Sequence, residues 1–208
     1  MNYQLVLENT LKNLEGVPKL LLHVCCAPCS SYVLEYLSNY FAITVFYYNP
    51  NIDTIDEYNK RMEESKRFTT EFKGKYPINF VEVGHLNDEY EKVIKGLENE
   101  KEGGPRCFKC YRLRLEKAFL YAKEHNYDYV TTTLTISPLK NSQKINEIAH
   151  ELEDVYNVKY LYSDFKKKEG YKRSIVLSRE YNLYRQNYCG CKYSKPKDNL
   201  NLDKEIVG

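Results

Sequence analysis

Tryptophan is absent from the 208 residues, and methionine occurs only twice. No apolar run approaches the roughly 18 residues that a membrane-spanning helix needs, so a soluble protein is expected. The N-terminal stretch carries Glu8 and lacks a compact apolar core ending at a small-residue cleavage site. No secretory signal is therefore expected. The G-x-x-x-x-G-K-[ST] loop and the G-x-G-x-x-G turn are both missing, which removes the recognisable cradles for nucleotide hydrolysis and dinucleotide binding. A large excess of one charge is missing too, since the chain's formal net charge is only +2.

That small total conceals an uneven distribution. Segments 106–117, 166–173 and 185–197 each carry +4, so the rest of the chain is acidic. Two of these segments contain cysteines and the third lies shortly before a cysteine pair, which suggests an electropositive face around the chemistry and a polyanionic partner. A solvated charged helix would account for any one of them alone. Tyrosine reaches 21 residues, but Lys, Asn, Ile and Tyr are all abundant, and a bias toward A/T-rich codons explains this without invoking base stacking.

All seven cysteines fall into three groups: Cys25-Cys26-Ala-Pro-Cys29, Cys107-Phe-Lys-Cys110 and Cys189-Gly-Cys191. Thiolates gathered in twos and threes either ligate a soft metal or cycle between dithiol and disulfide. An odd thiol count with no export signal favours a reducing cytoplasm over a disulfide framework.

The segment Lys19–Val24 has the length of a buried strand and ends at Cys25, with Pro28 opening a helix. Strands are also expected at Ala42–Tyr48, Asn79–Val83, Tyr127–Thr132 and Val158–Tyr162. Helices are expected over Glu57–Phe72, Asp88–Leu97, Arg106–His125 and Asn141–Glu153, the third following a break at Gly103-Gly104-Pro105. A further helix should carry the stripe Leu177, Tyr181, Tyr184 and Tyr188. This alternation predicts an α/β fold with a mainly parallel sheet and flanking helices. The rim formed by Cys25-Cys26, Asn49-Pro50-Asn51 and Thr131-Thr132-Thr133 at the strand ends is where a ligand should bind. A single catalytic domain is expected over 1–194, with a flexible tail over 195–208.

Cys107 and Cys110 stand at i and i+3 in a first helical turn, where unpaired N–H groups favour thiolates. With Cys25 and Cys26 they make four thiolates, enough for a [4Fe–4S] cluster or a tetrahedral zinc, and spacing does not separate the two. Cys26-Ala-Pro-Cys29 also resembles a thioredoxin-type redox motif, which would leave Cys107 and Cys110 unexplained. Cys189-Gly-Cys191 would close a strained and easily reduced ring, which suits a cycling pair. The stripe Phe108, Tyr111, Leu115, Phe119 and Ala122 reads as core packing, and His23 as a satisfied core residue. His85, His125 and His150 have no identifiable partner.

Six ordered motifs carry a resemblance. They are Leu22–Ser30 (LHVCCAPCS), Tyr47–Ile52 with Glu57, Tyr58 and Arg61, Gly104–Arg112 (GPRCFKCYR), Thr131–Pro138, Asp164–Lys167 with Gly170 and Tyr171, and Tyr184–Cys191. Together they span about residues 20 to 193 and resemble the QueH-type epoxyqueuosine reductases. The ATP-using tRNA thiolases, by contrast, would place a Ser-Gly-Gly-x-Asp-Ser loop where this chain has its first cysteines.

The resemblance implies a Rossmann-like (HUP-like) single domain and a cytoplasmic, cobalamin-independent enzyme that reduces epoxyqueuosine to queuosine at the tRNA wobble position. It implies a [4Fe–4S] cluster on Cys25, Cys26, Cys107 and Cys110, and a redox-active disulfide at Cys189 and Cys191. Cys29 is the candidate ligand of a second adjacent iron. Cys29 and Tyr111 are also the candidate proton donors. Lys166, Lys167, Lys168, Lys172, Arg173 and Arg185 are the candidate tRNA contacts, and an electron donor must exist. The competing classes are a zinc-stapled RNA-binding module and a thiol–disulfide oxidoreductase.

Overall fold

A central strand with apolar residues on both faces organises this chain. In β1 (Lys19–His23), Leu20 and Leu22 point into one hydrophobic cluster and Leu21 into another. Side chains alternate across a strand, so a continuous apolar run demands helices on both sides of the sheet. The computed structural model describes residues 1–195. Apart from Lys195, the tail expected at the C-terminus lies outside the described residues.

The sheet has five parallel strands in the order β3-β2-β1-β4-β5. Strand β2 covers Ala42–Tyr47, β3 Ile78–Glu82, β4 Tyr129–Thr132 and β5 Lys159–Tyr160. The helices are α1 (Tyr3–Lys12), α2 (Ala27–Leu37), α3 (Ile55–Glu71), α4 (Asn87–Ile94), α5 (Pro105–Glu124), α6 (Ser142–Tyr156) and α7 (Gly170–Glu180). Leu7 and Leu11 of α1, Leu34 and Leu37 of α2 and Phe68 of α3 cover one face of the sheet. Leu115 and Phe119 of α5, with Ile145 and Ile148 of α6, cover the other. This is a Rossmann-like doubly wound fold.

The chain runs outward from β1 through β2 to β3, then returns across the sheet to enter β4 beside β1. That reversal opens a crevice at the carboxyl ends of β1 and β4, where open α/β sheets bind ligands. The carboxyl end of β1 is where Cys25 stands.

Two elements depart from expectation. Helix α1 was not foreseen. Asn2 caps it by accepting from the Leu5 N–H, and the Tyr3, Leu7, Leu11 spacing that buries it is short and diluted by polar residues. Helix α7 ends at Glu180, and Asn182 adopts a left-handed φ of 48°. The stripe through Tyr184 and Tyr188 therefore does not form, because both tyrosines lie beyond the helix.

Gly170 opens α7 where that helix docks on α2, and a Cβ there would collide with the Phe165 carbonyl oxygen and the Tyr32 ring. Gly170→Ala is expected to cost about 3 kcal/mol in urea unfolding, the upper end of ordinary substitutions. A loss below about 0.5 kcal/mol would contradict this docking.

Candidate active site and metal centre

Backbone pairing continues past β1 through the Val24 N–H to the Phe46 carbonyl, and the chain then turns into α2 with Cys26 as its extended N-cap. Pro28 pre-sets the first helical turn, which carries Cys29. The result is a triad. The Sγ atoms of Cys25, Cys26 and Cys29 all lie within 4.8 Å of one another, and those of Cys25 and Cys26 are 3.8 Å apart. A group this tight can hold a metal ion, and 3.8 Å is about the edge of a tetrahedron with 2.3 Å zinc–sulfur bonds. The Cys25 N–H donates to Thr133 Oγ1 at 3.3 Å, which ties the triad to the end of β4.

The three thiols differ electrostatically. Hydrogen bonds from Cys26 and Cys29 hold Cys25 well below the ordinary thiol range, aided by the positive charges of Lys140 and Arg114. The same hydrogen bond to Cys25 pushes Cys26 up to about 12, and Cys29 is also pushed up by Cys25 and Cys26. Cys25 is thus the most readily ionised thiol of the three.

A second group of sulfurs stands beside the first. Gly104 and Pro105 start α5, so Cys107 and Cys110 occupy its first turns, and the Gly103 N–H points at Cys107 Sγ at 3.2 Å. Burial raises both thiols, Cys110 to about 12. Both line a small enclosed cavity of about 20 Å³ together with Tyr111, Cys189 and Cys191. Burial also raises Tyr111. Cys107 and Cys110 are therefore gathered with the C-x-C pair, while Cys25 and Cys26 are gathered with Cys29. All seven cysteines are free thiols in the structure.

An open cavity of about 410 Å³ reaches the triad and one member of the second group. Cys25, Cys29 and Cys189 are in its wall, together with Tyr171, Arg185, Gln186 and Tyr188. Glu102, Leu139, Lys140 and Cys189 line both this cavity and the small one, so a single partition separates them. Burial pulls Lys140 down, but the sulfurs of Cys189, Cys25 and Cys29 outweigh it and leave the ammonium strongly favoured.

The six basic residues expected to bind nucleic acid divide in two. Lys166, Lys167 and Lys172 line a shallow recess that shares Pro138 and Tyr171 with the open cavity, and Arg185 is in the cavity wall itself. Lys168 and Arg173 instead pair with Glu8 and Glu35, Arg173 at 2.6 Å, and serve the α1 and α2 side of the fold. Lys166 also pairs with Asp164 at 2.7 Å, and Lys172 with Glu169.

Four further residues complete the site: Asn51 and Arg61 belong to the second motif, whereas Lys140 and Arg114 lie outside all six. Lys140 stands in the cavity partition and Arg114 lies beneath the sulfurs. Arg61 and Asn51 hold the C-x-C loop, since Arg61 donates to the carbonyls of Tyr188 (3.4 Å) and Cys189 (3.2 Å), and Asn51 Nδ2 reaches the Cys189 carbonyl. The i+4 offset of Arg114 from Cys110 was the available signal for that residue. Nothing local marks Lys140. His23 is a satisfied core residue, its ring contacting Thr132 Oγ1 at 2.8 Å and the Tyr48 carbonyl at 3.1 Å. Burial lowers its pKa to about 3, so it stays neutral. The other three histidines have plain structural partners: His85 meets the Ile52 carbonyl, His125 the Tyr121 carbonyl and His150 the Tyr162 hydroxyl.

Comparison with known proteins places this arrangement. The family described as "Epoxyqueuosine reductase QueH" matches residues 20–197. A Streptococcus pyogenes serotype M1 protein named epoxyqueuosine reductase QueH is 44% identical over 207 residues, which cover 97% of this chain and 81% of the relative. Relatives of the same name are 42% identical in Staphylococcus epidermidis (97% of this chain, 88% of the relative) and 34% identical in Thermotoga maritima (84% and 88%).

The C-x-C loop has little room to move. Gly190 has a φ of +118°, and a Cβ there would press on Ile52, Arg61 and Asn51. Arg61 is 2% exposed and pairs with Glu57 at 2.6 Å, with its guanidinium over the Tyr188 ring. Arg61→Ala removes a buried charge from its partner, and urea unfolding should show a loss of about 3 kcal/mol. Hydrogen exchange in 186–192 should rise with it, and unchanged protection there would show that Arg61 does not hold the loop.

Proposed function

Since this chain belongs to the epoxyqueuosine reductase QueH family and is an oxidoreductase, we propose that it reduces the epoxide of epoxyqueuosine in tRNA to the alkene of queuosine, without cobalamin, using an iron–sulfur cluster. The observation that carries this reading is the open cavity of about 410 Å³ whose wall holds Cys25 and Cys29 of the triad and Cys189 of the second group, a volume suited to a single small ligand such as a nucleoside.

The donor set fits such a cluster. It consists of cysteine sulfur, with Arg114 and Lys140 supplying positive charge against anionic ligands. A cluster of several irons is larger than one ion, so its ligands need not all touch, and sulfurs drawn from Cys25, Cys26, Cys107 and Cys110 would hold it across the boundary of the two groups. Cys29, the remaining member of the triad, is the candidate ligand of a second iron. When bound, the cluster supplies electrons one at a time.

Converting the epoxide to an alkene takes up two electrons and two protons and releases the oxygen as water. Cys29 faces the open cavity and its raised pKa keeps it protonated, which suits it to donate a proton to the departing oxygen. Tyr111 holds the corresponding position at the small cavity and takes that role where Cys29 ligates metal. Cys189, which lines both cavities and whose carbonyl Arg61 and Asn51 hold, and Cys191 at the small cavity would restore reducing equivalents as a dithiol–disulfide pair. The donor that reduces them acts from outside.

The substrate base lies in a single-stranded anticodon loop, so it can be splayed into the cavity with Tyr171 and Tyr188 as apolar walls. Lys166, Lys167 and Lys172 in the adjoining recess, with Arg185 at the cavity, would take backbone phosphates, while Lys168 and Arg173 contribute from the α2 side. A zinc-stapled RNA module would share the sulfur groups but leave the cavity without a purpose.

The reconstituted, reduced protein should convert epoxyqueuosine-containing tRNA to the queuosine form, read as the loss of one oxygen after digestion and mass spectrometry. No conversion under strict anaerobiosis would sink the reading. Cys107→Ser should lose the visible absorption of the cluster together with turnover, and a variant retaining both would remove Cys107 from the ligand set. Binding to tRNA should weaken linearly in log K against log[salt], and Lys172→Ala should reduce that slope by about one. A flat plot would refute the basic recess.

A further inference from the structure

Arg114 is 1% exposed, and its guanidinium, which stays protonated at any pH of interest, has no carboxylate within ion-pair distance among the described residues. Its nearest nitrogen and oxygen neighbours are neutral. One terminal nitrogen donates to the Asn49 side-chain oxygen, and Nε lies 3.3 Å from Nε2 of His23, which is itself held uncharged. Asn49 is in turn fixed by donating to the Val24 carbonyl at 2.9 Å, so the guanidinium cannot easily turn away. An isolated buried cation is costly unless an anion or a set of hydrogen-bond acceptors offsets it, and Arg114 has few such acceptors.

Sulfur is the group placed to supply that anion. Arg114 lies one helical turn after Cys110 on α5 and is tied through Asn49 to the Val24 carbonyl beside Cys25; burial works against its charge, and the sulfurs of Cys110, Cys25 and Cys189 favour it. Those three come from all three cysteine motifs, and Arg114 stands where the two sulfur groups adjoin. The other buried arginines are satisfied differently. Arg61 has Glu57, and Arg106 has the carbonyls of Leu97, Glu98 and Glu100 at the turn before α5.

We propose that Arg114 is the fixed counter-cation of the sulfur-ligated metal centre, stabilising its more negative charge state and thereby raising its reduction potential. The proposal rests on the reading that these cysteines hold metal, but not on which metal. A positive charge and hydrogen bonds directed at ligand sulfur are among the levers by which a protein sets a cluster's potential. The same charge stabilises any anionic multi-thiolate complex, a zinc complex included.

Arg114→Gln, which removes the charge, and Arg114→Lys, which keeps it, test the assignment. Iron and sulfide are counted in the anaerobically purified proteins, the midpoint potential of the cluster is titrated, and zinc affinity of the metal-stripped proteins is measured against a chromophoric chelator. Arg114→Gln should make cluster reduction at least tenfold less favourable, a shift of about 59 mV to lower potential for one electron. It should also weaken zinc at least tenfold, and Arg114→Lys should stay close to the parent in both. A potential and a zinc affinity unchanged in Arg114→Gln would overturn the proposal, as would an Arg114→Lys protein that shifts as far as the glutamine variant. A parent protein that holds zinc but no iron–sulfur cluster would sink the reductase reading and leave the zinc comparison to decide Arg114. Arg114→Met is the second neutral variant, and failure of both neutral variants to fold would make the residue structural and end the assignment.

Discussion

Burying positive charge beside sulfur is the constraint on which the rest of the site depends. Arg61, Arg106 and Arg114 are each 3% exposed or less, and each is tied to a segment bearing cysteines. Arg61 holds the backbone of the C-x-C loop, Arg106 secures the turn from which α5 springs, and Arg114 lies under the junction of the two sulfur groups. A guanidinium out of water gains from each donor that finds an acceptor, so each one fixes the segment that supplies its acceptors. Rigid placement of the sulfurs follows from the needs of the arginines.

The fold supplies the junction. Parallel strands with helices on both faces place all strand ends on one rim, and the reversal between β3 and β4 leaves a crevice beside β1. Cys25 and Thr133 meet in that crevice across more than a hundred residues of chain. Helix starts do the rest, since α2 and α5 both begin at the rim with a cysteine in the first turn. Exposed N–H groups at those starts favour anionic sulfur, the same preference that the buried cations enforce.

The division of the cysteines shows how far local pattern could reach. Grouping in sequence identified all seven as chemistry, and their helix-start positions were legible from Pro28 and Pro105. Their partners were not. The close triad is Cys25, Cys26 and Cys29, whereas Cys107 and Cys110 share their cavity with Cys189 and Cys191. The basic segments divided in the same way: a run of lysines reads as one patch, but Glu8 and Glu35, distant in the chain, draw Lys168 and Arg173 to another side.

By itself the sequence determined the strand order and, from β1 onward, the alternation with helices, the parallel sheet and the three cysteine motifs, because hydrophobic period, Pro and Gly placement and short spacings act over a few residues. Only the tertiary structure decided which sulfurs share a cavity, that Lys140 stands in the partition between two cavities, that Tyr184 and Tyr188 leave the helix at Asn182, and that Arg114 has sulfur rather than carboxylate for its counter-charge. Those outcomes depend on contacts between segments separated by tens of residues, where the cost of an unpaired buried charge selects the arrangement and no local pattern records it.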